Sequence, residues 1–328
     1  MITTNLFQEV LVAPAQNECN KLLVVSGYAS SAMAFHHLTE LGNLGLHNIR
    51  ISLIVGMTSM DGISLSNHRG FREIMENAFP GRFECSYRTI PPPIHSKVYA
   101  WLTNFEPRFG FLGSANYTQI AFNERKQNEV ISVCDPNEAI QYYNQQVGDS
   151  IRCTHPDSEN IIQVYNERYI RRRARELTEP QEVDVQLQNQ EDLTLSESVN
   201  VSLLANDGTL PERSGLNWGQ RPEEHREPNQ AYIRLPHTIY RTDFFPAIGV
   251  HFTILTDDNR VLICTRAQAN GKAIHTPHNN SLIGEYFRNR LGVANGAPVR
   301  LQHLINYGRT DVTFYRIDDE TYYMDFSV

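Results

Sequence analysis

The sequence predicts an α/β sandwich followed by a small, mostly-β barrel. Three observations carry this expectation. Up to about residue 180, apolar strand-like runs alternate with amphipathic helix-like segments, the pattern of a layered α/β domain. A polar, acidic stretch without an amphipathic stripe follows and reads as a linker. Beyond it, eight short β-type runs are separated by turn residues and interrupted by one clear helix, which suggests a barrel. At 328 residues the chain exceeds one typical domain, and two are expected. The boundaries read as 1–180, a linker over 181–197, and 198–328.

In the first half, "KLLVVSGYAS" is a buried strand ending in a glycine turn, and "SAMAFHHLTELGNL" an amphipathic helix. "IRISLIVGM" is a second strand and "NHRGFREIMENAF" a second helix. "RFECSYRTI", "IHSKVYAWL", "FGFLG" and "NEVISVCD" follow as strands. A helix over "NIIQVYNERYIRRRARELTE" closes this half; Arg171, Arg172, Arg173 and Arg175 on it read as a solvated face. In the second half the strands are "VNVSLL", "AYIRL", "GVHFTILT", "VLICTRAQ", "KAIHT", "VRLQHL", "DVTFYRI" and "TYYMDF". Asp-Asp-Asn and Asn-Gly turns separate some of them, and "SLIGEYFRNRLGV" is the helix.

A net charge of −8 looks hostile to nucleic acid, but six acidic residues lie within 181–210, which holds no Lys or Arg. The flanking halves are near neutral, so the whole-chain charge says little about either. Five scattered cysteines form no CxxC pair, and free thiols in a reducing cytoplasm are expected. No apolar run approaches a membrane span, and the N-terminus lacks signal-peptide features.

The chemistry concentrates in "HSKVYAWLTNFEPRFGFLGSANYTQ". Residues two apart on a strand share a face, so His95, Lys97 and Tyr99 point one way, and Ser96, Val98 and Ala100 the other. Ser114 and Asn116 then offer a hydroxyl and an amide at a turn, and Glu129 stands at the mouth of the next strand. Such a set suits metal-free attack on a phosphodiester. The imidazole can be the nucleophile, and Lys97, Ser114 and Asn116 can neutralise the non-bridging oxygens. The carboxylate can hold the far ring nitrogen. Ser114 lies in no GxSxG elbow, and there is no Walker loop or GxGxxG. His36, His37 and His68 lack metal-ligand spacing and read as solvated or core histidines.

"HSK…GSANYT…NEV" resembles the phospholipase D superfamily signature, HxK followed by GSxN and a later Glu. The resemblance implies His95 as nucleophile, Lys97, Ser114 and Asn116 as phosphate ligands, and Glu129 as the orienting carboxylate, with no metal or other cofactor. One departure is plain: the broad family has an aspartate five residues after the lysine, where this chain has Leu102. The signature occurs once, so the resemblance implies a homodimer in which two copies of His95 meet.

In the second half, Arg213, Asn217, Trp218, Gln220 and Arg221 lie in one polar stretch, and Arg266, Gln268, Lys272, Thr276, His278, Asn279 and Asn280 in another. Arg, Asn and Gln match purine edges in the major groove; a Trp and Asn at a loop tip equally suit a sugar or a barrel cap. "SGLNWGQR", "TDDN", "NGKAI", "YFRNRLG" and "YGRTDV" resemble the C-terminal part of NgoFVII-type restriction endonucleases, relatives of BfiI. That family joins a phospholipase D-like α/β sandwich to a B3-like DNA-binding pseudobarrel. The resemblance implies a cytoplasmic, site-specific endonuclease acting on double-stranded DNA, with arms at roughly 213–226 and 266–281. It also brings in two partners of such systems, a separate ATP-hydrolysing subunit and a cognate DNA methyltransferase. Two other readings stay open: a phosphodiesterase for lipid or small substrates, and a DNA-binding regulator with a silent nuclease half.

Overall fold

The computed structural model describes residues 1–167 and 197–328. Two compact units emerge, Met1–Tyr165 and Asn166–Val328. The expected boundary at 180, the Arg171–Arg175 run and all of the linker but Glu197 lie outside the described residues.

The first unit is built on a seven-stranded sheet. Its strands in chain order are β1 (Lys21–Ser26), β2 (Arg50–Val55), β3 (Ile63–Ser64), β4 (Phe83–Arg88), β5 (Lys97–Thr103), β6 (Glu106–Gly113), β7 (Ile131–Cys134), β8 (Ser150–Arg152) and β9 (Val164–Tyr165). The sheet runs β7-β6-β5-β1-β2-β4-β8, and β3 pairs separately with β9. β1, β2 and β4 are parallel, while the β7–β6–β5–β1 side is antiparallel. Parallel neighbours need crossovers, and the helices Ser31–Asn43 and Leu65–Glu73 lie in these connections. Ser30 caps the first and Ser64 the second, each accepting a main-chain N–H.

The period-two reading of β5 holds. Ala100 and Leu102 join Leu23 and Ala139 in an apolar cluster under the helix Pro136–Val147, and Ser96 bonds Tyr142 of that helix. Tyr99 and Trp101 are buried on the other side, where Trp101 donates to the Val10 carbonyl and packs edge-on to His37. The long helix expected from Asn160 breaks off after Ile161. A short helix, Ser158–Ile161, gives way to β9, which is captured by parallel pairing with β3.

His37 is a core histidine, fully buried between Tyr117 and the Leu11 carbonyl. A carbonyl only accepts, so Nε2 carries the proton and Nδ1 accepts the Tyr117 hydroxyl. Burial pushes this imidazole down to about 3, against the Leu11 carbonyl, which favours the proton. The unfolded chain binds a proton near pH 6.5 and the folded one does not. The stability this neutral histidine contributes is therefore present above that pH and lost as pH falls toward 3, by on the order of 4 kcal/mol. Burial lowers His36 and His68 too, in the same sense. Urea midpoints should fall between pH 7 and 4, and less so in His37→Gln; an equal fall in both would contradict this.

The second unit holds β10 (Ser198–Ser202), β11 (Ile233–Arg234), β12 (His251–Thr256), β13 (Val261–Ala267), β14 (Ala273–His275), β15 (Asp311–Arg316) and β16 (Thr321–Asp325). They form a nearly closed, barrel-like sheet in the order β10-β15-β16-β12-β13-β14-β11. Every neighbour is antiparallel except β12 and β16. Phe245, Phe252, Phe314 and Tyr322 pack against one another within the core. The helix Leu282–Leu291 forms as expected. "VRLQHL" does not form a strand. The helix Leu301–Tyr307 occupies it, because Leu301 and Leu304 stand three apart, His303 bonds the Arg300 N–H, and Gly308 closes the end at φ 96°. Among the described residues, no helix is long and apolar enough to cross a membrane.

Candidate active site and nucleic-acid interface

Strand register gathers the catalytic candidates at one end of four adjacent strands. Lys97 pairs with Gly113, and Gly113 with Ile131. The residues just before β5, just after β6 and just before β7 therefore converge, and these are His95, Ser114–Asn116 and Glu129. Val25 pairs with Val98, so the end of β1 reaches the same place.

His95 sits two residues ahead of β5 and is exposed. Its approach depends on Gly56, where a Cβ would lie 2.2 Å from the Ile94 carbonyl oxygen; no larger residue fits beside that main chain. Lys97 is only 6 % exposed. Its Nζ donates to the His95 carbonyl at 2.7 Å and lies 3.2 and 3.4 Å from the two ring nitrogens. Burial pushes the lysine below its usual range, opposed by the Glu129 charge. Tyr99 donates to the Ala115 carbonyl at 2.7 Å and pins the turn bearing Ser114 and Asn116. Asn116 Oδ1 accepts the Tyr28 N–H at 3.1 Å.

Glu129 differs from expectation in its partners. One carboxylate oxygen takes the Ser114 hydroxyl and the other takes Gln127 Nε2, whereas the ring nitrogens of His95 meet Lys97 instead. Within one chain the carboxylate thus bonds the serine and not the imidazole. Leu102 is buried in the cluster under the helix Pro136–Val147, so an apolar contact occupies the position where the broad family has an acid. Among the described residues, no group of three or more His, Cys, Asp or Glu is placed to hold a metal ion.

The second unit sorts the DNA-contact candidates into three sets. Arg213, Lys272, His278 and Asn279 are exposed. Trp218, Arg221 and Asn280 are partly exposed and partnered: Arg226 lies 4.2 Å over the Trp218 ring, Arg221 pairs with Glu224 at 2.9 Å, and Asn280 bonds His275. Arg213 pairs with Glu223, so the first arm carries its own counter-charges. The third set is a correction. Asn217 is buried, its amide held by the Pro211 and Val299 carbonyls and the Val299 N–H. Gln220 donates to the Pro228 and Gly296 carbonyls, and buried Thr276 donates to the Asn279 carbonyl. Arg266 is spent on the carbonyls of Tyr240, Pro246, Asn270 and Gly271. Loop main chain crossing a barrel end needs such donors, and these side chains supply them.

Two family models match the chain. The model of the NgoFVII restriction endonuclease N-terminal PLD (phospholipase D) domain covers residues 4–160, and that of the NgoFVII C-terminal B3-like DNA-binding domain covers residues 192–318. The chain belongs to the NgoFVII restriction endonuclease family. The NgoFVII PLD match falls within the first unit, which carries His95, Lys97, Ser114, Asn116 and Glu129, and makes it a phosphodiester hydrolase domain. The NgoFVII DNA-binding match takes in six of the seven strands of the barrel-like sheet, β10 to β15.

Three solved structures similar to this chain are each 14 % identical to it. The match to polyphosphate kinase from Porphyromonas gingivalis covers 45 % of this chain at TM-score 0.31 and only 21 % of the kinase. NucT from Helicobacter pylori matches over 46 % of this chain and 96 % of its own at TM-score 0.32. Nuc from Salmonella typhimurium, a phospholipase D family member, matches over 43 % and 87 % at TM-score 0.30. No match was found among curated proteins.

Proposed function

We propose that this chain is a site-specific DNA endonuclease that cuts without metal, through a phosphohistidine, in an active site shared by two copies. One observation carries the reading. His95, Lys97, Ser114, Asn116 and Glu129 converge at one sheet end in a chain whose other half matches a DNA-binding domain.

The reaction runs as two displacements. A ring nitrogen of one His95 attacks phosphorus, and the bond from phosphorus to the 3′ oxygen breaks. His95 of the second copy, protonated, gives its proton to that oxygen. The resulting neutral imidazole then takes a proton from water, whose oxygen attacks phosphorus and releases the first His95. The products carry 5′-phosphate and 3′-hydroxyl ends. Lys97 and Asn116 stabilise the non-bridging oxygens as charge builds on them, with Ser114 oriented by Glu129. A second copy supplies the acid because the signature occurs once in the chain; the buried His37 and His68 are held elsewhere, His37 by Tyr117 and Leu11, His68 by Tyr87 and Glu159.

The deciding experiment incubates supercoiled plasmid with the full chain in excess EDTA. Discrete fragments are expected. A smear favours an unspecific phosphodiesterase, tight binding without cutting favours a regulator, and neither favours a lipid or small-molecule substrate.

For the reader unit, the exposed Lys272, His278 and Asn279 are the proposed contacts of the second arm, with Arg213, Trp218, Arg221 and Asn280 supporting. Lys272→Ala should weaken DNA binding by ~1–3 kcal/mol, concentrated at one or two base pairs if it reads a base. If it holds a phosphate, all sequences weaken alike and the salt slope drops by about one unit. Asn217→Ala should instead cost stability, roughly 1–3 kcal/mol for its lost buried hydrogen bonds, with the salt slope unchanged. Thermal melts and binding titrations at several salt concentrations separate the two.

A further inference from the structure

We infer that Ser26 is a positioning residue of the active site, fixing the Asn116 carboxamide with its N–H₂ group turned toward the reacting phosphate. The inference rests on the phosphodiesterase reading of the same site. Ser26 ends the otherwise apolar run of β1 and is fully buried. A buried hydroxyl is costly unless it is bonded, and alanine would fill that strand position more cheaply. The hydroxyl ties the end of β1 to the turn that carries Asn116: its one proton goes to the Tyr28 main chain, whose own N–H holds the amide, and it accepts from the main chain of Tyr117. Its Oγ accepts the Tyr117 N–H at 2.9 Å, donates to the Tyr28 carbonyl at 2.5 Å, and lies 3.4 Å from Asn116 Oδ1.

These contacts set the amide's direction. The Tyr28 N–H, 3.1 Å from the Asn116 side chain, can only donate, so it must face the oxygen. The nitrogen is thereby turned away from the β1 end, free to donate to a substrate. The clamp is doubled on the far side. The Ser30 N–H donates to the Tyr117 carbonyl at 3.0 Å, and the buried Tyr117 hydroxyl meets His37. A Cβ placed on Gly27, between the clamping residues, would lie 3.4 Å from His95 Cα and 3.5 Å from Asn116 Oδ1. The nucleophile and the amide therefore share one wall, and Ser26 is its fixed point. Nothing in the HxK or GSxN pattern marks this residue.

The test follows hydrolysis of bis(p-nitrophenyl) phosphate, a diester that needs no recognition sequence, by the full-length chain. Ser26→Ala should lower kcat by about 10- to 100-fold, as expected for a displaced charge-stabilising group. KM and the shape of the pH–rate profile should stay put. Asn116→Ala should lower kcat further, and the double variant should match Asn116→Ala within about twofold, since Ser26 acts through that amide. An unchanged rate in Ser26→Ala, or losses that multiply in the double variant, overturns the inference. If Ser26→Ala does not fold, Ser26→Cys, of similar size with a weak acceptor, should give an intermediate rate; a wild-type rate there overturns the inference equally. Turnover that survives His95→Ala, or no His95-dependent turnover at all, overturns the phosphodiesterase reading and the inference with it. His95-dependent turnover with no effect at Ser26 sinks the inference alone.

Discussion

His95→Ala is expected to lower DNA cutting by at least about 10⁴-fold, the scale seen when a covalent nucleophile is removed. Specific DNA binding should stay within about twofold. The two outcomes separate because the imidazole stands at one sheet end of the first unit, while the proposed contacts sit on loops of the second. His95 is exposed and its ring bonds only Lys97 among the described residues, so its loss removes no core packing. The variant should melt with the wild type. Mixed dimers of wild type and His95→Ala extend the test to the shared site. Each holds one nucleophile or one acid but never both, and should be inactive. Half-active mixed dimers would show that each copy cuts alone, and a matching loss of DNA affinity in His95→Ala would show that the two jobs are not divided between the units.

The same contrast explains what could be read from the sequence. Strand periodicity has only two faces, so an HxK on an apolar strand placed His95 and Lys97 together and sent Ala100 and Leu102 beneath a helix. The GSAN turn and Glu129 joined them because β5, β6 and β7 are consecutive antiparallel neighbours. Arg, Asn and Gln that suit base edges equally suit loop carbonyls, and only the fold decides which partner is within reach. Asn217 and Arg266 bind main chain, while Lys272 is exposed. The counter-charges Glu223 and Glu224 were present in "QRPEEHRE", yet their pairing with Arg213, Arg221 and Arg226 depends on how that loop turns back. Glu129 lies at the same sheet end as His95 but bonds Ser114, because Ser114 lies across a main-chain pair from Val130 and reaches the carboxylate first. In "VRLQHL" period two and the three-residue spacing coincide over so short a run that the pattern alone does not separate strand from helix, and the glycine beyond it stops a helix.

Lys97→Met should lower cutting by about 10³-fold, and millimolar Mg²⁺ should restore none of it. The lysine is nearly buried, and its ammonium stands beside the His95 ring with the carbonyl of that residue as a fixed acceptor. A cation held in place and stripped of most of its water acts on a phosphate oxygen more strongly than a solvated one, and it needs no reorganisation as charge builds on the non-bridging oxygens. Burial already disfavours the charged form, and Glu129 partly restores it. Methionine keeps the length and apolar stem while removing the charge, so any loss of rate beyond a small change in melting temperature belongs to electrostatics. Lys97→Arg should recover little, since a planar fork cannot occupy the narrow place of an ammonium between ring and carbonyl. If Lys97 takes the part that a metal plays in other nucleases, wild-type cutting is indifferent to EDTA and the methionine variant is indifferent to Mg²⁺. Recovery of the variant by Mg²⁺, or loss of wild-type cutting in EDTA, would instead place a divalent cation at the phosphate and return Lys97 to a packing role.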